Sequence, residues 1–289
     1  MASVGIAVNY YWKPGFSEST RACAGLALRM VRENAGVDTV LLVDGSPSPD
    51  LAMEEICRSC DVRYHHAGRE LSFSQGYNLG WRTLSEPLVG LMASDIFAPK
   101  RTIETLVSAL EPHDVGCVFP YLSQCDYPAQ MAASVRAPVT CEPSGMTLNL
   151  NLFKRGVLEK VGGVDETFSG AYNDVLLMMA IRRAGHRVVQ VGGTYVNHLG
   201  QITISQGTTY KREADRVRFQ TVYAEYFTPV GKWHIRHWLW PLATTPGAAR
   251  WWWLAQNAPS TRIRSFLQRA TLAREPLLTR YPAAWGAGR

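Results

Sequence analysis

The chain has 289 residues, of which 46% are hydrophobic and 19% charged, with a formal net charge of +6. That profile is long enough and apolar enough for a sizeable buried core, and it excludes a disordered or fibrous chain. No stretch reaches the roughly 18 uncharged apolar residues that a membrane-spanning helix needs.

The N-terminal residues, Met1 to Val8, carry no basic segment and no cleavage pattern, so residues 4–8 read as a first strand and point to the cytoplasm. Residues 17–34 read as a helix, with Leu26, Met30 and Val31 on one stripe and Gly36 just past its end. Residues 39–43 (TVLLV) form a second strand, Asp50 caps a short helix to Cys60, and residues 62–65 form a third strand. A helix over 74–84 and a strand over 88–92 follow. Pro99 opens a helix with Ile103, Leu106, Val107 and Leu110 at helical spacing, and residues 115–119 make a fifth strand. Strands alternating with helices over short loops predict an α/β fold with a doubly wound, mostly parallel sheet. Ligands bind such sheets at the carboxyl ends of the strands. The residues just past those ends are Asn9, Tyr10 and Tyr11, then Asp44 to Ser46, then Ser94 and Asp95.

The second half differs. Residues 120–145 read as a long Pro/Ser/Ala loop, and 146–153 (MTLNLNLF) alternate as a half-exposed strand would. A short helix over 154–161 stops at Gly162-Gly163. Residues 174–184 form a helix apolar nearly all round and therefore buried, with Arg182 and Arg183 on a solvated face. Strands over 187–191 and 194–198 and a helix over 210–227 complete a domain spanning 1–228. The six cysteines read as reduced thiols; Cys57 and Cys60 form a CxxC followed by His65 and His66, without a second pair at zinc spacing.

Residues 229–289 are a helical extension of another composition. They hold nine Lys and Arg against one acid, Glu275, a local charge of +8 that leaves −2 on the preceding 228 residues. Seven of the nine tryptophans are there, including Trp251-Trp252-Trp253. Three readings stay open: a membrane-surface contact at the inner face, a nucleic-acid patch, and packing of the extension on its own domain.

Four patches carry chemistry in a fixed order. They are Asn9-Tyr10-Tyr11 with Asp44-Gly45-Ser46; Leu71 to Gly80 (LSFSQGYNLG); Ala93-Ser94-Asp95; and Gly162-Gly163-Val164-Asp165-Glu166 with Asn173-Asp174, Arg182 to Arg187 and His198. Together, over residues 4–227, they resemble glycosyltransferase family 2, of GT-A fold, and within it the rhamnosyltransferase and galactofuranosyltransferase branch. The resemblance implies an inverting enzyme that moves a sugar from a UDP- or dTDP-sugar to an acceptor hydroxyl with Mn2+ or Mg2+. The implied acceptor is a glycan or lipid-linked glycan. A protein or a modified nucleic-acid base is the alternative acceptor, and a nucleotide-sugar-binding protein without turnover the alternative activity.

The resemblance also implies roles. Asn9, Tyr10, Asp44, Asn78, Ser94 and Asp95 would contact the nucleotide-sugar, Asp44 through uracil N3–H or a ribose hydroxyl. Asp95 and His198 would hold the metal, whose hard and borderline ligands these are. Asp174 would be the general base, with Asp165 and Asn173 on the acceptor side. Two positions depart from the pattern: Ala93 stands where the family has a first metal-motif Asp or Asn, and Asn173 where it has Glu.

Overall fold

The computed structural model describes residues 2–123, 140–143, 146–200, 206 and 211–222. Most of the predicted loop over 120–145 and the whole extension over 229–289 lie outside them.

The first half alternates as the sequence predicts: β1 (Val4–Tyr10), α1 (Glu18–Arg32), β2 (Thr39–Asp44), α2 (Leu51–Ser59), β3 (Arg63–His66), α3 (Phe73–Thr83) and β4 (Leu88–Ala93). These strands lie in the order β3-β2-β1-β4, all parallel. Alternation along β1 sorts its side chains between two layers. Val4, Ile6, Val8 and Tyr10 join the core beneath α1 and α2, whereas Ala7 joins the core beneath α3. The helix starts are set by side-chain caps. Ser17 accepts from the Ser19 amide, Asp50 from the Met53 amide, and Ser72 and Gln75 form a reciprocal capping box. In α1 the buried stripe is Ala24, Ala27, Leu28 and Val31. Of the predicted stripe, Val31 is buried and Met30 packs against the same core, whereas Leu26 is 51% exposed.

The second half consists of β5 (Ile96–Phe97), α4 (Thr102–Leu110), β6 (Val115–Leu122), β7 (Leu150–Lys154), α5 (Arg155–Val161), α6 (Asn173–Arg183), β8 (Arg187–His198) and α7 (Arg212–Val222). Among the described residues the sheet runs β3-β2-β1-β4-β7-β6-β8-β5. β7 enters antiparallel between β4 and β6; Leu150 and Leu152 join one core and Phe153 the other, so both its faces are covered and Leu150, Asn151, Leu152 and Phe153 are buried. The half-exposed strand expected there is corrected accordingly. Burying each such large apolar side chain stabilises the fold by about 1.5–3 kcal/mol.

The two strands expected over 187–198 are one. Its pairing with β6 jumps from Pro120↔Val191 to Tyr121↔Tyr195, a bulge at Gly192-Gly193 that the sequence presents as a break. β5, of two residues, is too short to carry a periodic signature. It pairs antiparallel with the end of β8, Ile96 opposite His198.

Candidate active site

The turn between β4 and β5 carries Ser94 and Asp95 at the carboxyl end of β4. The β5–β8 pairing brings His198 to the same place, with its Nε2 3.5 Å from Asp95 Oδ2 and both side chains about 15% exposed, at 14% and 16%. The backbone fixes this approach on both sides. The Leu199 amide donates to the Asp95 carbonyl at 3.2 Å, and the His198 amide to Ser123 Oγ at 2.8 Å. Asn149 Nδ2 lies 3.5 Å from His198 Nδ1. A hard carboxylate oxygen and an imidazole nitrogen, both reachable from solvent, are a donor pair suited to Mn2+, and a polar neighbour on the second ring nitrogen orients the imidazole. Among the described residues no group of three or more His, Cys, Asp and Glu side chains could hold a metal.

At the ends of β1 and β2 the predicted nucleotide contacts divide. Asn9 lies against α3, with its Nδ2 donating to the Phe73 carbonyl at 3.2 Å. The helix comes this close because position 76 is glycine: a Cβ there would meet Asn9 Oδ1 at 2.1 Å. Tyr10 points the other way, 1% exposed, with its hydroxyl on Asp50 Oδ2 at 2.7 Å. Burial and then Asp50 push its phenol well above the ordinary range. Asp44 is fully buried. Its Oδ1 accepts from the amide and hydroxyl of Ser46, and its Oδ2 from the Asp50 amide and the Tyr64 hydroxyl. Those four donors compensate a charge that would otherwise be costly to bury. In this arrangement Tyr10 and Asp44 shape the turn, and the surface at the strand ends is left to their neighbours. Tyr11 hydrogen-bonds Glu70, and the Trp12 ring carries Arg21 4.3 Å from its centroid.

Asn78 is 1% exposed and makes four hydrogen bonds within the chain. Its Nδ2 donates to the Val164 carbonyl and to Glu166 Oε1, both at 2.7 Å, and its Oδ1 accepts from the Val164 amide and Trp81 Nε1, both at 2.9 Å. The poor helix former in mid-helix is thus a clamp on the Gly162–Glu166 turn. Gly163 permits it, with φ at +78° and a notional Cβ 2.5 Å from Asn78 Oδ1. Asp165 faces its own turn, where Oδ1 accepts from the Thr167 amide at 2.9 Å and hydroxyl at 2.6 Å.

Asn173 and Asp174 are the first two residues of α6, and neither is its cap. The cap position is Tyr172, in the left-handed region at φ 65° without a side-chain cap bond. Asn173 is buried and donates to Ser74 Oγ at 2.7 Å, which donates in turn to the Phe168 carbonyl at 2.6 Å. Its amide therefore faces α3. Asp174 is half-buried, and its Oδ1 accepts from the Val175 amide at 2.7 Å. Arg182 is not on a solvated face. It is half-buried with Nη2 on the Pro143 carbonyl at 2.7 Å, and burial, opposed by Glu142, lowers its guanidinium to about 10.

Sequence reasoning missed Asp215. This α7 carboxylate, 4% exposed, accepts from the amides of Ser169, Gly170 and Ala171 and from Ser169 Oγ. No sequence signal marks it, since α7 is otherwise rich in exposed charge. A cleft of about 530 Å³ lies over this junction, lined among others by Glu70, Gln75, Glu166, Lys211 and Arg218.

No protein-family profile matches the chain, and no curated protein matches it in sequence. Solved structures do match in shape. A mannosyltransferase, PcManGT from Pyrobaculum calidifontis in complex with GDP-Man and Mn2+, superposes with a TM-score of 0.53 at 17% identity, over 94% of this chain and 85% of that one. GalNAc-T7 with UDP, GalNAc and Mn2+ gives 0.60 at 10% identity, over 97% of this chain and 58% of that one. TarS of S. aureus gives 0.53 at 10% identity, over 94% and 92%. At such identities the likeness is one of fold: the chain has the mixed α/β, largely parallel architecture of GT-A glycosyltransferases.

Proposed function

We propose that the chain is a glycosyltransferase that moves a sugar from a nucleoside-diphosphate donor to an acceptor hydroxyl. The observation that carries this reading is the Asp95–His198 pair, 3.5 Å apart at the carboxyl end of β4. That is where a GT-A sheet offers its ligand edge. The structural neighbours solved with nucleotides and Mn2+ support it. Asp95 and His198 would hold Mn2+ or Mg2+, with Ser94 beside them on the same turn. A divalent cation there would neutralise the diphosphate as it leaves.

The chain's own residues supply the rest. Asn9 and the Asp44 turn border the nucleotide, with Tyr10 and Asp44 acting as internal supports. Asn78 and Asp165 hold the turn beside the donor. Asp174, at the start of a buried helix, takes the proton from the acceptor hydroxyl as that oxygen attacks the anomeric carbon. The displacement is single and inverting, and the donor is a UDP- or dTDP-sugar. Asn173, turned toward Ser74, steadies this helix start from behind. The acceptor is a glycan or the glycan head of a lipid-linked acceptor. Location in the cytoplasm, at the inner membrane face, goes with that acceptor. No helix among the described residues is long and apolar enough to cross a membrane.

The test is calorimetric titration of UDP, dTDP and GDP with Mn2+, Mg2+ or EDTA, for the wild type and for Asp95→Ala. Metal-dependent binding of one nucleotide, weakened at least tenfold in the variant, is expected. Absence of binding to every nucleotide with either metal overturns the proposal.

A further inference from the structure

The turn that delivers Asp174 is held from outside the sheet by α7. Residues Phe168 to Tyr172 run between two helices. On the α3 side, the Ser74 hydroxyl donates to the Phe168 carbonyl, and the Phe73 amide to the Ser169 carbonyl at 3.1 Å. On the α7 side, Asp215 gathers three consecutive backbone amides and one hydroxyl at 2.8–3.0 Å. Consecutive amides converging on one carboxylate form an anion nest, and here a side chain of the same chain fills it. One turn further along α7, the ring of Phe219, fully buried, stacks on Tyr172 with centroids 4.7 Å apart and planes 9° apart.

Tyr172 needs such support. A non-glycine residue at φ 65° is strained and persists only where its surroundings over-determine it. The Tyr172 carbonyl accepts the Leu176 amide at 2.9 Å and so sets the direction of the first turn of α6. Asp174 lies two residues on.

We propose that Asp215 and Phe219 are positioning residues for the reaction. They lock Tyr172 in its left-handed conformation and thereby hold the Asp174 carboxylate at the angle from which it serves the acceptor. The inference rests on the sugar-transfer reading and names the part of the chain that sets its geometry. The hydrogen bonds of Asp215 run to residues 169–171 and the Phe219 ring stacks on Tyr172, so the proposal expects nucleotide affinity to be kept when either is changed. An error of an ångström in a catalytic group costs on the order of 100-fold.

The experiment compares wild type, Asp215→Asn, Phe219→Leu, Asp174→Asn and, as a surface control on the same helix, Glu213→Gln. Transfer kinetics, nucleotide affinity and amide hydrogen exchange are measured well below each variant's melting temperature. In Asp215→Asn and Phe219→Leu, kcat is expected to fall about 10- to 100-fold, with nucleotide Kd within twofold of wild type and faster exchange at the amides of residues 169–176. Glu213→Gln should match the wild type. Two results overturn the proposal: kcat within threefold of wild type in both α7 variants, or a nucleotide affinity that falls in step with kcat. If Asp174→Asn keeps wild-type turnover, Asp174 is not the base and the positioning role falls with it. Loss in Asp174→Asn beside unimpaired α7 variants removes the positioning role alone.

Discussion

Replacing Asn78 by alanine separates two roles for a residue that the family resemblance assigns to the donor. In the structure it makes four hydrogen bonds to its own chain and is 1% exposed. Truncation strands three buried groups, the Val164 amide, the Val164 carbonyl and Trp81 Nε1, and releases Glu166 to Arg82, 3.1 Å away. Each buried orphan costs about 1–3 kcal/mol. Water entering the vacated space lowers the sum, so the expected loss is about 4 kcal/mol, a large part of the roughly 5–15 kcal/mol of a typical domain. At about 2–4 °C per kcal/mol this lowers the melting temperature by on the order of 10 °C. The assay is urea unfolding beside nucleotide titration at a temperature where both proteins are folded. The expected pattern is a large stability loss with nucleotide affinity little changed. Stability within about 1 kcal/mol of wild type, together with a tenfold weaker nucleotide, would refute the clamp and return Asn78 to the donor.

Three further outcomes follow from the same geometry. Gly163→Ala puts a methyl 2.5 Å from Asn78 Oδ1 at φ +78°, and should cost about 2–3 kcal/mol in a denaturant titration. His198→Ala should weaken Mn2+-dependent nucleotide binding about tenfold, and leave binding in EDTA unchanged, because only the metal term involves the imidazole. His186 titrates below its usual range because burial, and then Lys160 and Lys154, disfavour its cation. Its folded pKa is depressed, so its stabilising contribution is complete above the unfolded value near 6.5 and is lost as pH falls through the folded one. The wild type should therefore lose stability as pH falls below about 6.5, and His186→Asn should flatten that slope in thermal melts.

The first half of the chain, β1 to β4, was legible because local rules suffice there. TVLLV and LVGLM are short apolar runs, Asp50 and Ser72 are side-chain caps, and helices separate the strands. What sequence could not show depends on partners distant in the chain. The burial of β7 comes from the two cores that meet its faces in mid-sheet, not from its own alternation. Gly192-Gly193 reads as a break until β6 is seen to continue past it. At the site, Asp95 and His198 are 103 positions apart, and they meet through a two-residue strand below the reach of periodicity. Asn78 and Asp44 carry the motif, but whether a motif Asn or Asp faces ligand or chain depends on the residues that surround it. Asp215 lacks any motif, and its burial arises from the turn it holds.

The most direct test of sugar transfer is turnover itself. The purified chain would be incubated with a panel of UDP-, dTDP- and GDP-sugars in Mn2+, Mg2+ or EDTA, with Asp95→Ala and Asp174→Asn alongside, and free nucleoside diphosphate measured. Metal-dependent release from one donor, accelerated by a glycan acceptor and lost in both variants, is predicted. Donor binding with no release under any metal and acceptor condition would make the chain a nucleotide-sugar-binding protein and contradict the enzyme.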